Sequence, residues 1–220
     1  MTELVLKVAA SYLLGSLIGS LIVGRLRGGV DIRALGSGNA GGTNALRTQG
    51  KAFAFWVIVI DVAKAFIAAR VIAQLPLPGA GAAPDLQPWI PAACGFAAIL
   101  GHVFPVWHGF RGGKGVATVV GAIAGIAPLL LVPMIAAWLA VVVTSGYVGL
   151  ASMTATAVLP LIVDFGAFEP RIPLVTFGVL AAILVVYTHR GNIARMRAGT
   201  EPRARKLWLL GRRRSAQRHD

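Results

Sequence analysis

Long apolar runs alternate with short polar, glycine-rich segments along this chain, and the length of each run limits what it can be. About 20 consecutive apolar residues cross a bilayer as a helix. By that measure the pattern predicts spans at roughly 4–24, 53–74 and 88–104. The uncharged stretch from Val116 to Val163 is too long for two spans and short for three, with interruptions near Pro128 and Pro133 and at TSGYVG, 144–149. Three short spans, 116–131, 132–147 and 149–164, fit it, and a last one follows at 173–189. The expected fold is an all-α integral membrane protein of seven transmembrane helices. The first run, Leu4 to Val23, has no basic start and no clear cleavage site, so it reads as a retained span and not a signal peptide.

Composition agrees with the pattern. The chain is 56% hydrophobic and 13% charged with mean hydropathy +0.74, whereas soluble domains are roughly half apolar and about a quarter charged. The net charge of +13 is concentrated in three segments: Arg25 to Lys51, Arg111 to Lys114, and the tail beyond His189. The loops at 75–87 and 165–172 hold only Arg171 against Asp85 and Glu169. Because cytoplasmic loops are enriched in Lys and Arg, this bias puts the N-terminus outside and the C-terminus in the cytoplasm. The second and third basic segments then require an even number of spans between them, and four fits the length. A single cysteine, Cys94, excludes an internal disulfide framework and reads as a small core residue.

The first basic segment contains GSGNAGGTN (36–44), with the G-x-G-x-x-G spacing of a dinucleotide site. That reading needs a strand before it and a helix after it in a βαβ unit; here the motif lies between two membrane spans, and the reading fails. The second segment, GFRGGKGVAT (109–118), runs into the fourth span. A glycine-rich turn feeding a helix N-terminus is suited to anions, since glycine admits close backbone approach and the helix offers free N–H groups. Ser37, Asn39, Asn44, Arg47 and Lys114 add side-chain donors, with Arg111 nearby, so two phosphate groups at one interface are expected. The second loop is not a Walker A sequence, which would place Gly at His108 and Ser or Thr at Gly115. Gly15, Gly19, Gly121 and Gly125 have helical spacing and read as packing positions.

The third segment, THRGNIARMRAGTEPRARK (188–206), places His189, Asn192 and Arg195 on one face if the last helix continues. From spacing alone, His189 and Asn192 can be functional or mark the membrane boundary. Arg203 to Arg218 read as topogenic charge, with anionic lipid headgroups as contacts. Asp61 and Lys64, three residues apart inside the second span, read as a structural ion pair before a proton or ion path. Only Asp31 and Glu201 are available as carboxylates among the motifs, so metal catalysis is not expected.

Three stretches carry a resemblance: GSGNAGGTNALR (36–47), GHVFPVWHGFRGGKGVAT (101–118) and THRGNIARMRAGTE (188–201). In order and content they resemble the three cytoplasmic motifs of the bacterial acyl-phosphate:glycerol-3-phosphate acyltransferases, the PlsY family. The similarity runs from about residue 5 to 201. It implies one membrane domain over 1–201, carrying motif segments 25–52, 101–118 and 188–201, followed by a basic tail, 202–220. It implies acyl transfer from a fatty acyl phosphate to the 1-hydroxyl of sn-glycerol 3-phosphate, giving lysophosphatidic acid and inorganic phosphate, the first acylation of bacterial phospholipid synthesis. The setting would be the bacterial cell membrane with the active site at its cytoplasmic face. No cofactor and no metal is implied; the partners are the two substrates, membrane lipid, and a functional link to the enzyme supplying acyl phosphate.

Carried over motif by motif, Ser37, Arg47, Lys114, His189 and Asn192 are the expected catalytic residues. Gly36, Gly38, Asn39, Thr43, Asn44, Gly112, Gly113, Gly115 and Ser152 would bind substrate, and Glu201 would be structural, as Asp61 and Lys64 are on the reading above. Gly149 stands where the family commonly has serine, and His108 and Gly42 are further departures. The proton acceptor stays open between His189 and a substrate phosphate oxygen, with His189 favoured as a binding or orienting residue. Ser37 has no base assigned beside it, which disfavours an acyl-enzyme. Two rival readings are a transporter of an anionic metabolite and a membrane-tethered nucleic-acid binder. Nearly featureless external loops argue against the first. The second would have to rely on a tail with Trp208 as its one aromatic, and no nucleic-acid partner is expected.

Overall fold

A computed structural model describes residues 1–79 and 81–209, and every regular element among them is helical. The first predicted span is two helices, α1 (Thr2–Gly15) and α2 (Gly19–Leu26), bent by 43°. The break leaves backbone groups without helical partners inside an apolar bundle, which is costly unless other groups satisfy them. Lys64 Nζ donates to Leu17 O at 2.6 Å, and Asp61 Oδ1 accepts from Gly19 N at 3.1 Å. The two intramembrane charges, 3.0 Å apart, therefore mend the broken helix as well as each other.

Next come α3 (Gly42–Gln49) and α4 (Lys51–Phe66), whose span continues through wider and tighter turns to Gln74. α5 (Ile90–Val103) and α6 (Val116–Ile126) flank the second glycine-rich loop. After them run α7 (Leu131–Ser145), α8 (Val148–Ala157) with α9 (Leu159–Phe165), α10 (Arg171–Thr188) and α11 (Arg190–Arg197). Among the described residues, five helical stretches are long and apolar enough to cross a membrane, or six when the bent α1–α2 pair counts as one. The fourth predicted span, 116–131, is shorter than expected: α6 has 11 residues, about 16 Å. It stops at Ala127, the residue before Pro128, because a following proline disfavours the helical conformation. Pro133 instead sits in the first turn of α7, where its missing N–H costs nothing.

Small residues set the helix contacts. A side chain at Gly15 would run into the backbone of Ala98, and one at Gly121 into the carbonyl of Val62; at Gly125 it would meet Phe66 O at 3.2 Å. The packing reading of these glycines holds. Around them Ile99, Val119, Ile123, Leu174 and Phe177 form the main core, and Cys94 is a fully buried free thiol. At one end of the bundle, Lys7 bridges Glu3 (2.6 Å) and Ala73 O (2.8 Å). The glycine-rich loops and α11 gather at the other end, around one cavity.

Candidate functional site

The first loop is built by Asn44. Its side-chain oxygen accepts from Ser37 N (3.0 Å), and its amide N–H groups reach Ile32 O (2.9 Å), Leu35 O (3.0 Å) and Asn39 O (2.9 Å). Gly36 turns through φ +57°, and a side chain there would collide with the Asn44 oxygen. Asn44 thus lies on the cavity wall but spends its polar atoms on the loop, a positioning task in place of the expected substrate contact. Arg33 pairs with Asp31 (2.8 Å) and donates to the carbonyls of His108 (3.3 Å) and Arg111 (3.1 Å), tying the two glycine-rich loops together. The guanidinium holds the Asp31 carboxyl below the usual carboxylate range.

The loops enclose a cavity of about 300 Å³. The first loop and α3 contribute Ser37, Asn39, Thr43 and Arg47 to its lining; Lys114, His189, Asn192, Arg195 and Glu201 line it as well, with Ser152. Two helix N-termini open into it, through Gly41 to Thr43 at α3 and Gly115 to Ala117 at α6, and neither has a side-chain cap. Their free N–H groups and positive dipole ends make the cavity attractive to anions.

Of the expected residues, Gly36, Gly38, Gly112 and Gly113 lie behind this surface. They shape the loops: Gly38 has φ +70°, and Gly113 N donates to His102 O at 3.1 Å. Gly115, at φ +88°, does line the cavity. Arg111, exposed, lies away from the cavity lining. Asp61 reaches the cavity from its buried pair, whereas Lys64 lies behind it.

The α11 wall is one connected network. Lys114 Nζ donates to Asn192 Oδ1; Asn192 Nδ2 donates to Glu201 Oε1 at 2.6 Å; and Arg195 Nε donates to Glu201 Oε2 at 2.6 Å. Glu201 is buried, bonds Asn192 and Arg195 through its two oxygens, and also reaches the cavity. The continuation of the last helix brings His189, Asn192 and Arg195 to one face, although the backbone kinks at His189. Burial, with Arg195 and Arg47 nearby, pushes the Lys114 ammonium down to about 8. Burial and the neighbouring Lys114 push His189 to about 4. His189 Nδ1 lies 2.7 Å from Val185 O, so that nitrogen carries the proton and Nε2 keeps a free lone pair.

Residues that sequence reasoning left out are also here. Trp138 donates its indole N–H to Ser152 Oγ (3.3 Å) and separates the main cavity from an apolar one of about 180 Å³, lined by Val116, Val119, Met134, Ile135 and Ala155. His102, at the end of α5, lines the main cavity and is buried. Trp138 sits in an uncharged run and His102 in a long motif, and neither has a spacing signal of its own. Gly149 lies with its Cα facing Asn192, where a side chain would come within 3.0 Å of the amide nitrogen. The expected serine at that position would press on the network.

A family profile described as glycerol-3-phosphate acyltransferase matches residues 5–199. Glycerol-3-phosphate acyltransferases from Chlorobaculum tepidum and Geobacter sulfurreducens are 39% and 41% identical to the chain, over 89% and 92% of it and 94% and 98% of their own lengths. The crystal structure of PlsY (YgiH), an integral membrane glycerol 3-phosphate acyltransferase, is similar in its glycerol 3-phosphate form with TM-score 0.80, 33% identity and 91% of this chain and 94% of that one covered. Its lysophosphatidic acid form gives TM-score 0.79 and 32% identity, covering 93% and 97%. Fold, motif order and extended sequence similarity together place the chain in the PlsY family of glycerol-3-phosphate acyltransferases.

Proposed function

We propose that this acyltransferase takes its acyl group from a fatty acyl phosphate and delivers it to the 1-hydroxyl of sn-glycerol 3-phosphate, releasing lysophosphatidic acid and inorganic phosphate. The observation that carries this reading is the cavity in which Arg47, Lys114, Arg195 and two uncapped helix N-termini converge. Both proposed substrates bear phosphate, and the similar PlsY structure has a glycerol 3-phosphate form. The apolar cavity behind Trp138 offers the acyl chain a place beside the reacting carbon, at about 0.8 kcal/mol per buried CH₂.

In this reaction the 1-hydroxyl oxygen attacks the acyl carbonyl, the C–O bond to phosphate breaks, and the hydroxyl proton leaves on the departing phosphate. An acyl phosphate is already activated, so positioning and charge stabilisation are what the protein must add. Lys114 and the α6 N–H groups stabilise the leaving phosphate; Ser37 and Arg47 hold the second phosphate group. His189 at about 4 is a weaker base than a phosphate oxygen, whose second ionisation lies near ~6 in a monoester. Its Nε2 lone pair instead receives the substrate O–H and aims it, and Asn192 holds Lys114. The same reading makes residues 1–201 one domain, oriented by the positive-inside rule with the cavity at the cytoplasmic face, N-terminus outside, and α6 as the short fourth of seven membrane-embedded helices.

The test is phosphate release from palmitoyl phosphate by the purified protein, with EDTA present, with and without glycerol 3-phosphate. Release that depends on glycerol 3-phosphate and falls at least ~100-fold in Lys114→Ala is expected. A folded wild-type sample that releases none would overturn the reading.

A further inference from the structure

His102 is 2% exposed and still borders the cavity. Its Nδ1 faces inward, 3.0 Å from Lys64 Nζ. Lys64 has three N–H bonds and three acceptors around it: Leu17 O at 2.6 Å, Asp61 Oδ1 at 3.0 Å and His102 Nδ1. An ammonium accepts no hydrogen bond, so a proton on Nδ1 would set two donors against each other. Nδ1 must present its lone pair, and a neutral imidazole then carries its proton on Nε2. Asp61 Oδ1, 3.3 Å from the same nitrogen, is already taken by Lys64 and by Gly19 N–H.

The Nε2 edge of the ring lies against Gly113, at the spot a side chain there would fill. Among the described residues, the hydrogen bond of this ring is the one at Nδ1, which leaves Nε2–H without a protein partner on a residue that borders the cavity and packs on the loop carrying Lys114. Buried polar groups are rarely left unpaired, and one at the edge of a cavity is placed for a ligand.

We propose that His102 is a phosphate-binding residue, donating Nε2–H to a phosphoryl oxygen held beside Lys114, and that Lys64 and Asp61 are positioning residues that fix its tautomer. This rests on the reading that the cavity receives phosphorylated substrates. A neutral donor suits a cavity that already gathers Arg47, Lys114 and Arg195, since it adds a hydrogen bond to the anion without adding repulsion between cations. The two histidines buried among the described residues have opposite tautomers: His189 offers a lone pair to a hydroxyl, and His102 offers a proton to a phosphate.

The test compares His102→Gln with His102→Asn. Glutamine places an N–H near the former Nε2; asparagine keeps a group near Nδ1 for Lys64 and falls short of the phosphate. With inorganic phosphate as probe, the expected result is a phosphate-induced rise in melting temperature for wild type and His102→Gln, and affinity about ten- to hundredfold weaker in His102→Asn. In the assay, His102→Asn should raise KM by a similar factor with little change in kcat, and His102→Gln should rescue it. Equal phosphate affinity in His102→Asn and wild type, or no phosphate response in wild type, overturns the proposal. Where neither variant folds, ¹⁵N-histidine NMR of the wild type decides: a buried imidazole protonated at Nε2 whose signal moves with phosphate supports it, and the lack of one overturns it. An enzyme inactive with acyl phosphate whose phosphate binding still depends on His102 would refute the proposed reaction and leave this inference standing.

Discussion

Lys114 and His189 titrate where free lysine and histidine do not, and a pH profile separates their roles. With its value near 8, Lys114 is charged below that pH and neutral above it. Phosphate binds the charged form, so KM for the phosphorylated substrates is expected to be flat around neutrality and to climb above pH 8, toward ~tenfold per unit. A bound phosphate holds the proton on Lys114, so kcat should break at higher pH than kcat/KM. His189, near 4, stays neutral throughout, so an acid limb around pH ~6 belongs to the substrate phosphate and is expected to persist in His189→Gln. An acid limb there that disappears in His189→Gln would contradict the orienting role. The charged and hydroxyl residues of the cavity, Ser37, Arg47 and Lys114, were legible because their type and glycine-rich setting point to anions. Asn44 was not read correctly, since an asparagine in such a loop can serve a ligand or the backbone, and only the folded loop shows four backbone contacts. His102 was missed because its role comes from Lys64, 38 positions away in the chain.

At the scale of elements, apolar run length located the membrane helices but not their breaks. It registers transfer from water and is blind to who satisfies the backbone. Thus the bend between α1 and α2 was invisible, although the residues that tolerate it, Asp61 and Lys64, stood out as charges in an apolar helix. The glycine spacing was more informative, because close helix approach leaves no room for a side chain. Gly121→Val is expected to push α6 off the Val62 carbonyl and lower the melting temperature in detergent sharply, since overpacking costs ~1–3 kcal/mol or more. Gly191→Ala on α11, whose added carbon would meet only Arg195 at 3.6 Å, should leave it unchanged within error. Comparable losses in the two variants would show that helix approach is not what Gly121 provides.

For the whole molecule, charge asymmetry was legible and the use of the charges was not. Arg203, read as topogenic, stacks on the rings of Tyr147 (4.6 Å) and Trp208 (4.0 Å), and Trp208 donates to Thr144 O at 3.0 Å. Ala204 N donates to Gly146 O at 2.8 Å, so the segment beyond Glu201 is strapped across the α7–α8 turn; the reading of 210–220 lies outside the described residues. Trp208→Ala is expected to speed proteolysis within 202–209 and to lower activity severalfold by loosening Glu201 from Asn192 and Arg195. Unchanged cleavage and activity would show that the strap is incidental.

The shortness of α6 matters most at this scale. The two arms that meet at Ala127 are unequal: the 11 residues of α6 rise about 16 Å, against about 27 Å for the 18 from Pro128 to Ser145. Laid along a common axis from that residue, α6 falls short of the level that α7 reaches. On the proposed function a water-soluble phosphate descends to reach the first turn of α6, while an acyl chain in the neighbouring lipid moves sideways only. In the proposed reaction the boundary between water and oil is thereby carried inward to the reacting atoms, so that neither substrate has to leave the phase in which it dissolves.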